Sequence, residues 1–193
     1  MNKLGFGFLR LPEKDGGIDY TVLNRMVDDF IAAGGRCFDT AYTYLDGESE
    51  IAIGKSLSAR YPREAFQLTT KLPGYYAKTR EDCRRMFEES AQRCGVKYFD
   101  TYMLHWMCAE HYRMAQERDQ FGFLQELKSE GKVKRIGFSF HDTPELLDQI
   151  LTEHPEVDCV LLQINYLDWE APGIQSRACY DVAIRHGDRK SVV

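Results

Sequence analysis

The sequence predicts an α/β fold: a (β/α)8 barrel of TIM type, incomplete, with about six strand–helix units forming one domain over residues 1–193. Three observations carry this reading. Short apolar stretches of strand length alternate with longer stretches whose apolar residues recur every three or four positions; such alternation implies a parallel sheet with helical crossovers. Polar residues close the apolar stretches. Asp39, Lys71, His105, Ser139 and Gln163 fall at or near strand C-terminal ends, the rim where such barrels carry active sites. An open doubly wound sheet is expected to show a Gly-x-Gly-x-x-Gly turn after its first strand, and the sequence has none.

Each element has its own signal. Residues 4–11 read as a short, glycine-containing strand. Val22, Leu23, Met26, Val27, Phe30 and Ile31 follow at helical spacing until Gly34-Gly35 stops the helix. Residues 36–41 read as a strand, 50–57 as a short helix and 65–72 as a strand. Thr79 opens the clearest helix, with Asp82 three residues on in a capping-box pairing. Cys83, Met86, Phe87, Ala91 and Cys94 make its apolar stripe, and Gly95 ends it. Residues 98–105 form a strand, 121–127 a helix closed near Gly131, and 135–140 a strand. Thr143-Pro144 supplies a cap, then a proline at the first helical position, where its missing N–H goes unneeded. Leu146, Leu147, Ile150 and Leu151 give that helix its buried face. Residues 159–165 read as a strand and 176–186 as a helix ending at Gly187. A seventh apolar strand is expected next, but the chain reads Asp188-Arg189-Lys190-Ser191-Val192-Val193 and stops. A complete barrel needs about 250 residues, so the last units are expected to be missing, leaving open strand edges for self-association.

Composition narrows the function. A hydrophobic fraction of 44% with 28% charged residues is that of a globular chain rather than a disordered one. A net charge of −5 gives no basic footprint for nucleic acid. No apolar run approaches the roughly 18 residues of a membrane span, and the N-terminus lacks a secretory h-region. A cytoplasmic location is expected. The six cysteines form no Cys-x-x-Cys pair and read as reduced thiols, with Cys83 and Cys94 as small core residues.

Four ionisable residues stand on three successive strand ends: Asp39 with Tyr44 five positions later, Lys71, and His105. Taken singly, each has a bland reading: a buried acid, a loop aromatic, a surface lysine, a rim histidine. Together they form a carbonyl-reducing set. Tyrosine, with a pKa of about 10, is a weak acid, but a nearby ammonium stabilises its phenolate. Lys71, held charged by Asp39, meets that need. Tyr44 then gives a proton to the developing alkoxide, and His105 orients the carbonyl oxygen. No side chain supplies a hydride, so a cofactor must.

These residues resemble a known family. Gly35-Arg36-Cys37-Phe38-Asp39-Thr40-Ala41 with Tyr44, Glu48 and Gly54 is similar to the signature region of the aldo/keto reductases. Thr70-Lys71 and Leu104-His105 resemble its lysine and histidine strands. Gly137-Phe138-Ser139 and Leu162-Gln163-Ile164-Asn165-Tyr166 resemble its nicotinamide-contacting strands, and Leu4-Gly5-Phe6-Gly7 its opening segment. The resemblance runs from residue 4 to about residue 187. It implies Asp39, Tyr44, Lys71 and His105 as the catalytic tetrad. Gly7, Phe8, Ser139 and Gln163 are implied as cofactor contacts, NADP(H) as cofactor and a small carbonyl compound as substrate. Many members have asparagine after the serine, whereas this chain has Phe140-His141, which makes His141 a candidate substitute. The opening Gly7-Phe8-Leu9-Arg10-Leu11-Pro12 resembles a branch that often carries an iron–sulfur module; without a cysteine cluster, none is predicted.

Two other functions compete. A silent or cofactor-binding remnant follows from the missing units. A metal-dependent hydrolase would use Asp39, His105 and His141, but the first strand has no His-x-His pair.

Overall fold

The computed structural model describes residues 4–167, 169–187 and 190–192. The chain opens with β1 (Gly5–Gly7), then a small hairpin of β2 (Glu13–Lys14) and β3 (Gly17–Ile18). Strand–helix units follow: α1 (Tyr20–Ala32), β4 (Cys37–Asp39) and α2 (Glu48–Ile53), then β5 (Gln67–Leu72) and α3 (Arg80–Cys94). Next come β6 (Phe99–Met107), α4 (Ala109–Glu117), α5 (Gln120–Ser129) and β7 (Val133–Phe140). The order closes with α6 (Pro144–Glu153), β8 (Cys159–Leu162), α7 (Ser176–Arg185) and β9 (Lys190–Val192).

Among the described residues seven strands form one parallel sheet in the order β1-β4-β5-β6-β7-β8-β9. Six strand–helix units are therefore present, as expected, in a partial barrel. One expectation is corrected. The chain does not stop short of a seventh strand, because Lys190–Val192 pairs parallel with Val160, Leu161 and Leu162. A run of three residues was too short to register as an apolar strand.

The capping signals act as read. Asp82 and Thr79 exchange both bonds of a capping box, and Gly95 ends α3 at φ 66°. Thr143 caps α6 ahead of Pro144. The core lies between the helices and the sheet, around Leu68, Leu72, Phe99, Phe138 and Ile150, all 0% exposed.

Three local readings change. The opening strand is only three residues long, and the rest of the predicted stretch leads into the β2–β3 hairpin. There Asp15 (φ 53°) and Gly16 (φ 81°) form its turn, the two-residue left-handed pair that matches strand twist. Residues between the 98–105 strand and the 121–127 helix, given no element by the sequence, form the amphipathic helix α4, which buries Tyr112 and Ala115. Strand β8 ends at Leu162, so Gln163 stands just beyond it.

Candidate active site

Asp39, the last residue of β4, and Lys71, in β5, meet because their strands are parallel neighbours. Lys71 is 0% exposed, and its Nζ donates to Asp39 Oδ1 at 2.6 Å and to the Thr40 carbonyl at 2.7 Å. It also lies 3.3 Å from Tyr44 Oη and 4.7 Å from the centre of the Tyr44 ring. A buried ammonium survives only with such partners. The Asp39 side chain keeps 28% exposure. Desolvation pushes its carboxyl above the ordinary range, and the Lys71 charge opposes that shift.

Tyr44 starts a tight helical turn, Tyr44–Gly47. Leu45 (φ 51°), Asp46 (φ 54°) and Gly47 (φ 95°) all lie in the left-handed region. Outside glycine that conformation costs roughly 1–2 kcal/mol per residue, so the surroundings must impose it.

His105 comes from β6. Its ring centre lies 5.6 Å from that of Tyr44, edge to face, and its Nδ1 lies 3.5 Å from Thr43 Oγ1. Burial, followed by the charges of Lys71, His141 and His111, holds its pKa down to about 3. The ring is therefore neutral through the physiological range.

Beyond His105 the β6–β7 ladder shifts register between Leu104 and Met107. Trp106 sits in the gap at φ 57° and is 51% exposed. Its backbone N–H donates to Ser139 Oγ at 2.7 Å, and its carbonyl bonds His111 Nδ1 at 2.6 Å. Tyr75 stacks on His111 at 4.5 Å and meets Trp106 edge on. An aromatic wall thus stands beside His105. Nothing in the sequence pattern singles out Trp106 or His111. The signal it lacked was α4, which returns His111 to the strand end.

The remaining predicted residues are more spread out. Ser139 is buried and engaged with Trp106. Gln163 and His141 line a cavity of about 220 Å³ with Phe140, Leu162 and Ile174. His141 is close enough for its charge to disfavour that of His105. Gly7 pairs in register with Asp39 and has open space where a side chain would stand. Phe8 differs: its ring is fully buried among Phe6 and Phe38, its N–H donates to the Asp39 carbonyl, and its carbonyl accepts from Ser49. Among the described residues no three metal-ligating side chains are grouped, and Asp39 already has a cationic partner in Lys71. No helix among them is long and apolar enough to cross a membrane. All six cysteines are free thiols, with Cys83 and Cys94 buried.

Comparison with known proteins gives a consistent result. The model of the aldo/keto reductase family matches residues 3–188. The chain is similar to an NADH-specific methylglyoxal reductase of Escherichia coli, 25% identical over 87% of this chain and 56% of that protein. It is 31% identical to an aldo-keto reductase of Mycobacterium avium, over 83% of this chain and 51% of that one. Its fold is that of a Klebsiella pneumoniae aldo-keto reductase solved with NADPH, at a TM-score of 0.74 and 22% identity, over 95% of this chain and 60% of that one. The chain spans about half the length of the curated relatives it matches.

Proposed function

The chain belongs to the aldo/keto reductase family, and from that premise we propose that it reduces an aldehyde or ketone to an alcohol with NADPH. The observation that carries this is the placement of Tyr44 Oη 3.3 Å from the buried Lys71 ammonium and beside neutral His105. A nicotinamide cofactor, when bound, supplies the hydride.

The residues at the strand ends suit that group's carboxamide end. Gln163 offers both a donor and an acceptor beside the apolar walls of the cavity, and His141 adds a ring nitrogen. Ser139 Oγ accepts from Trp106, which leaves its own O–H to donate. Gly7 leaves room near Asp39, while Phe8 supports that floor from the core.

The side chains then divide the work. His105 Nδ1 lies 3.5 Å from Thr43 Oγ1; in the tautomer where that nitrogen accepts, Nε2 carries the ring proton and donates to the substrate carbonyl oxygen. Tyr44 gives its phenolic proton to that oxygen as negative charge develops. Lys71 stabilises the resulting phenolate, and Asp39 keeps Lys71 in place. Trp106, Tyr75 and His111 wall off water on one side.

The test is cofactor oxidation with a panel of aldehydes, after NADPH and NADH titrations followed by fluorescence. Tyr44→Phe should cut kcat by a factor of about 100 or more while leaving cofactor Kd within twofold. A folded chain that binds either cofactor without turnover would establish the alternative, a cofactor-binding remnant. That reading draws on the half-length match to the curated relatives.

A further inference from the structure

The turn that starts at Tyr44 passes through three successive left-handed conformations, at Leu45, Asp46 and Gly47, and something must hold them there. The contacts converge on one side chain from the opposite helix. Arg93, near the end of α3, lies over the Tyr42 ring at 4.4 Å. Its Nη1 is 3.4 Å from the Tyr42 carbonyl and 3.4 Å from Glu50 Oε2. The same guanidinium fills the space beside Gly47, where a Cβ would fall 3.0 Å from Nη1. Its Nη2 is 3.8 Å from Glu89, which also accepts the Tyr42 hydroxyl. Each polar contact is long, so the hold comes from the set. A planar fork can stack on a ring and bond at its edge at once, which an ammonium cannot.

Glu50 extends this grip to the other half of the site. It is 0% exposed, and its Oε1 accepts from Thr70 Oγ1 at 2.7 Å. Thr70 directly precedes Lys71 on β5. A buried carboxylate without a cation is costly, and Arg93 supplies that cation from a half-buried position. One arginine therefore touches both flanks of the Tyr44 turn and, through Glu50, the strand that bears Lys71.

We propose that Arg93 is a positioning residue: it clamps the Tyr44 turn from α3 and sets the phenol against Lys71. The proposal rests on Tyr44 being the proton donor of the function above.

Arg93→Lys keeps a cation for Glu50 but loses the planar stack and the fork. The first readout needs no turnover. In protein labelled with ¹³Cζ-tyrosine, the Tyr44 signal, assigned by its loss in Tyr44→Phe, should shift or broaden in Arg93→Lys, while that of remote Tyr112 stays in place. The second readout is kinetic. Arg93→Lys should lower kcat tenfold or more with cofactor Kd within twofold, and should add no further loss in a Tyr44→Phe background. Should Arg93→Lys fail to fold, Tyr42→Leu removes the stacking platform while sparing the ion pair, and the same results are expected. A folded variant with an unmoved Tyr44 signal, or with an equal kcat loss in both backgrounds, overturns the proposal. A wild-type chain without turnover refutes the proposed function instead, and the Tyr44 signal still decides on the clamp.

Discussion

At the scale of single residues, the proposed chemistry depends on charges held in unusual places. His105 shows this best. Its ring titrates near pH 3 because it is buried beside Lys71, whereas an unfolded chain takes up that proton near 6.5. Below pH 6.5 the unfolded state thus binds a proton that the folded state refuses until about pH 3, and stability is lost as pH falls across that window. From pH 7 to pH 5 the loss amounts to about 2 kcal/mol. Urea unfolding at the two pH values checks it: His105→Gln should lose about 2 kcal/mol less than the wild type. Equal losses would mean that the ring titrates normally and that its neutrality is no part of the design. Asp39, Lys71 and His105 were legible in the sequence because each stands at or near a strand end, where the strands of a parallel barrel converge, and Tyr44 because it follows Asp39 into the next turn. Thr43 and Arg93 were not. A threonine one residue before Tyr44 and an arginine on a helix face look like any solvated residue until tertiary structure supplies their partners.

At the scale of elements, α2 and α3 together hold the Tyr44 turn, and their separation is set by Gly54. That residue opens the π-helical turn Gly54–Ser58 at the end of α2. It has ordinary helical torsions, so by propensity alone alanine would gain about 1 kcal/mol. A Cβ there would instead run into the backbone carbonyl oxygen of Arg93. Backbone yields less readily than a side chain, so relief requires the two helices to part. Gly54→Ala is expected to lose about 2 kcal/mol in urea unfolding, the reverse of the propensity effect. A gain would show that the interface relaxes freely and that glycine is not needed for the close approach. Helices with strong caps were readable for local reasons: Thr79 with Asp82, and Thr143 with Pro144, decide their own termini. Helix α4 was not, because its polar residues outnumber the two it buries, Tyr112 and Ala115. The β2–β3 hairpin did carry a signal, Asp15-Gly16, but strands of two residues offer no alternation to confirm it.

At the scale of the whole molecule, strand order grades stability and function across the sheet. Alternation in the sequence was enough to predict parallel strands, but which strands lie at the ends follows only from the pairing. β5, β6 and β7 sit in the middle, flanked on both sides, while β1 and β9 are the terminal strands of the described sheet. Residues Phe99 to Leu104 of β6 are all buried, so their amides should open only with global unfolding. Lys71 and His105 thus stand on the rigid centre, whereas Gln163 and the cavity beside it lie toward the β9 end. Hydrogen exchange should accordingly be slowest in 99–107 and 133–140 and fastest toward the two ends of the sheet. Saturating NADPH should slow exchange both in 159–187 and in the central strands, since both open only by losing the ligand, while segments that open locally without breaking the site are unchanged. At one hundred times Kd the gain is about 2.7 kcal/mol, or roughly a hundredfold slowing in those two regions. Slowing in β1 and the hairpin with none in 159–187 would put the cofactor at the opposite side of the sheet and remove Gln163 from its contacts.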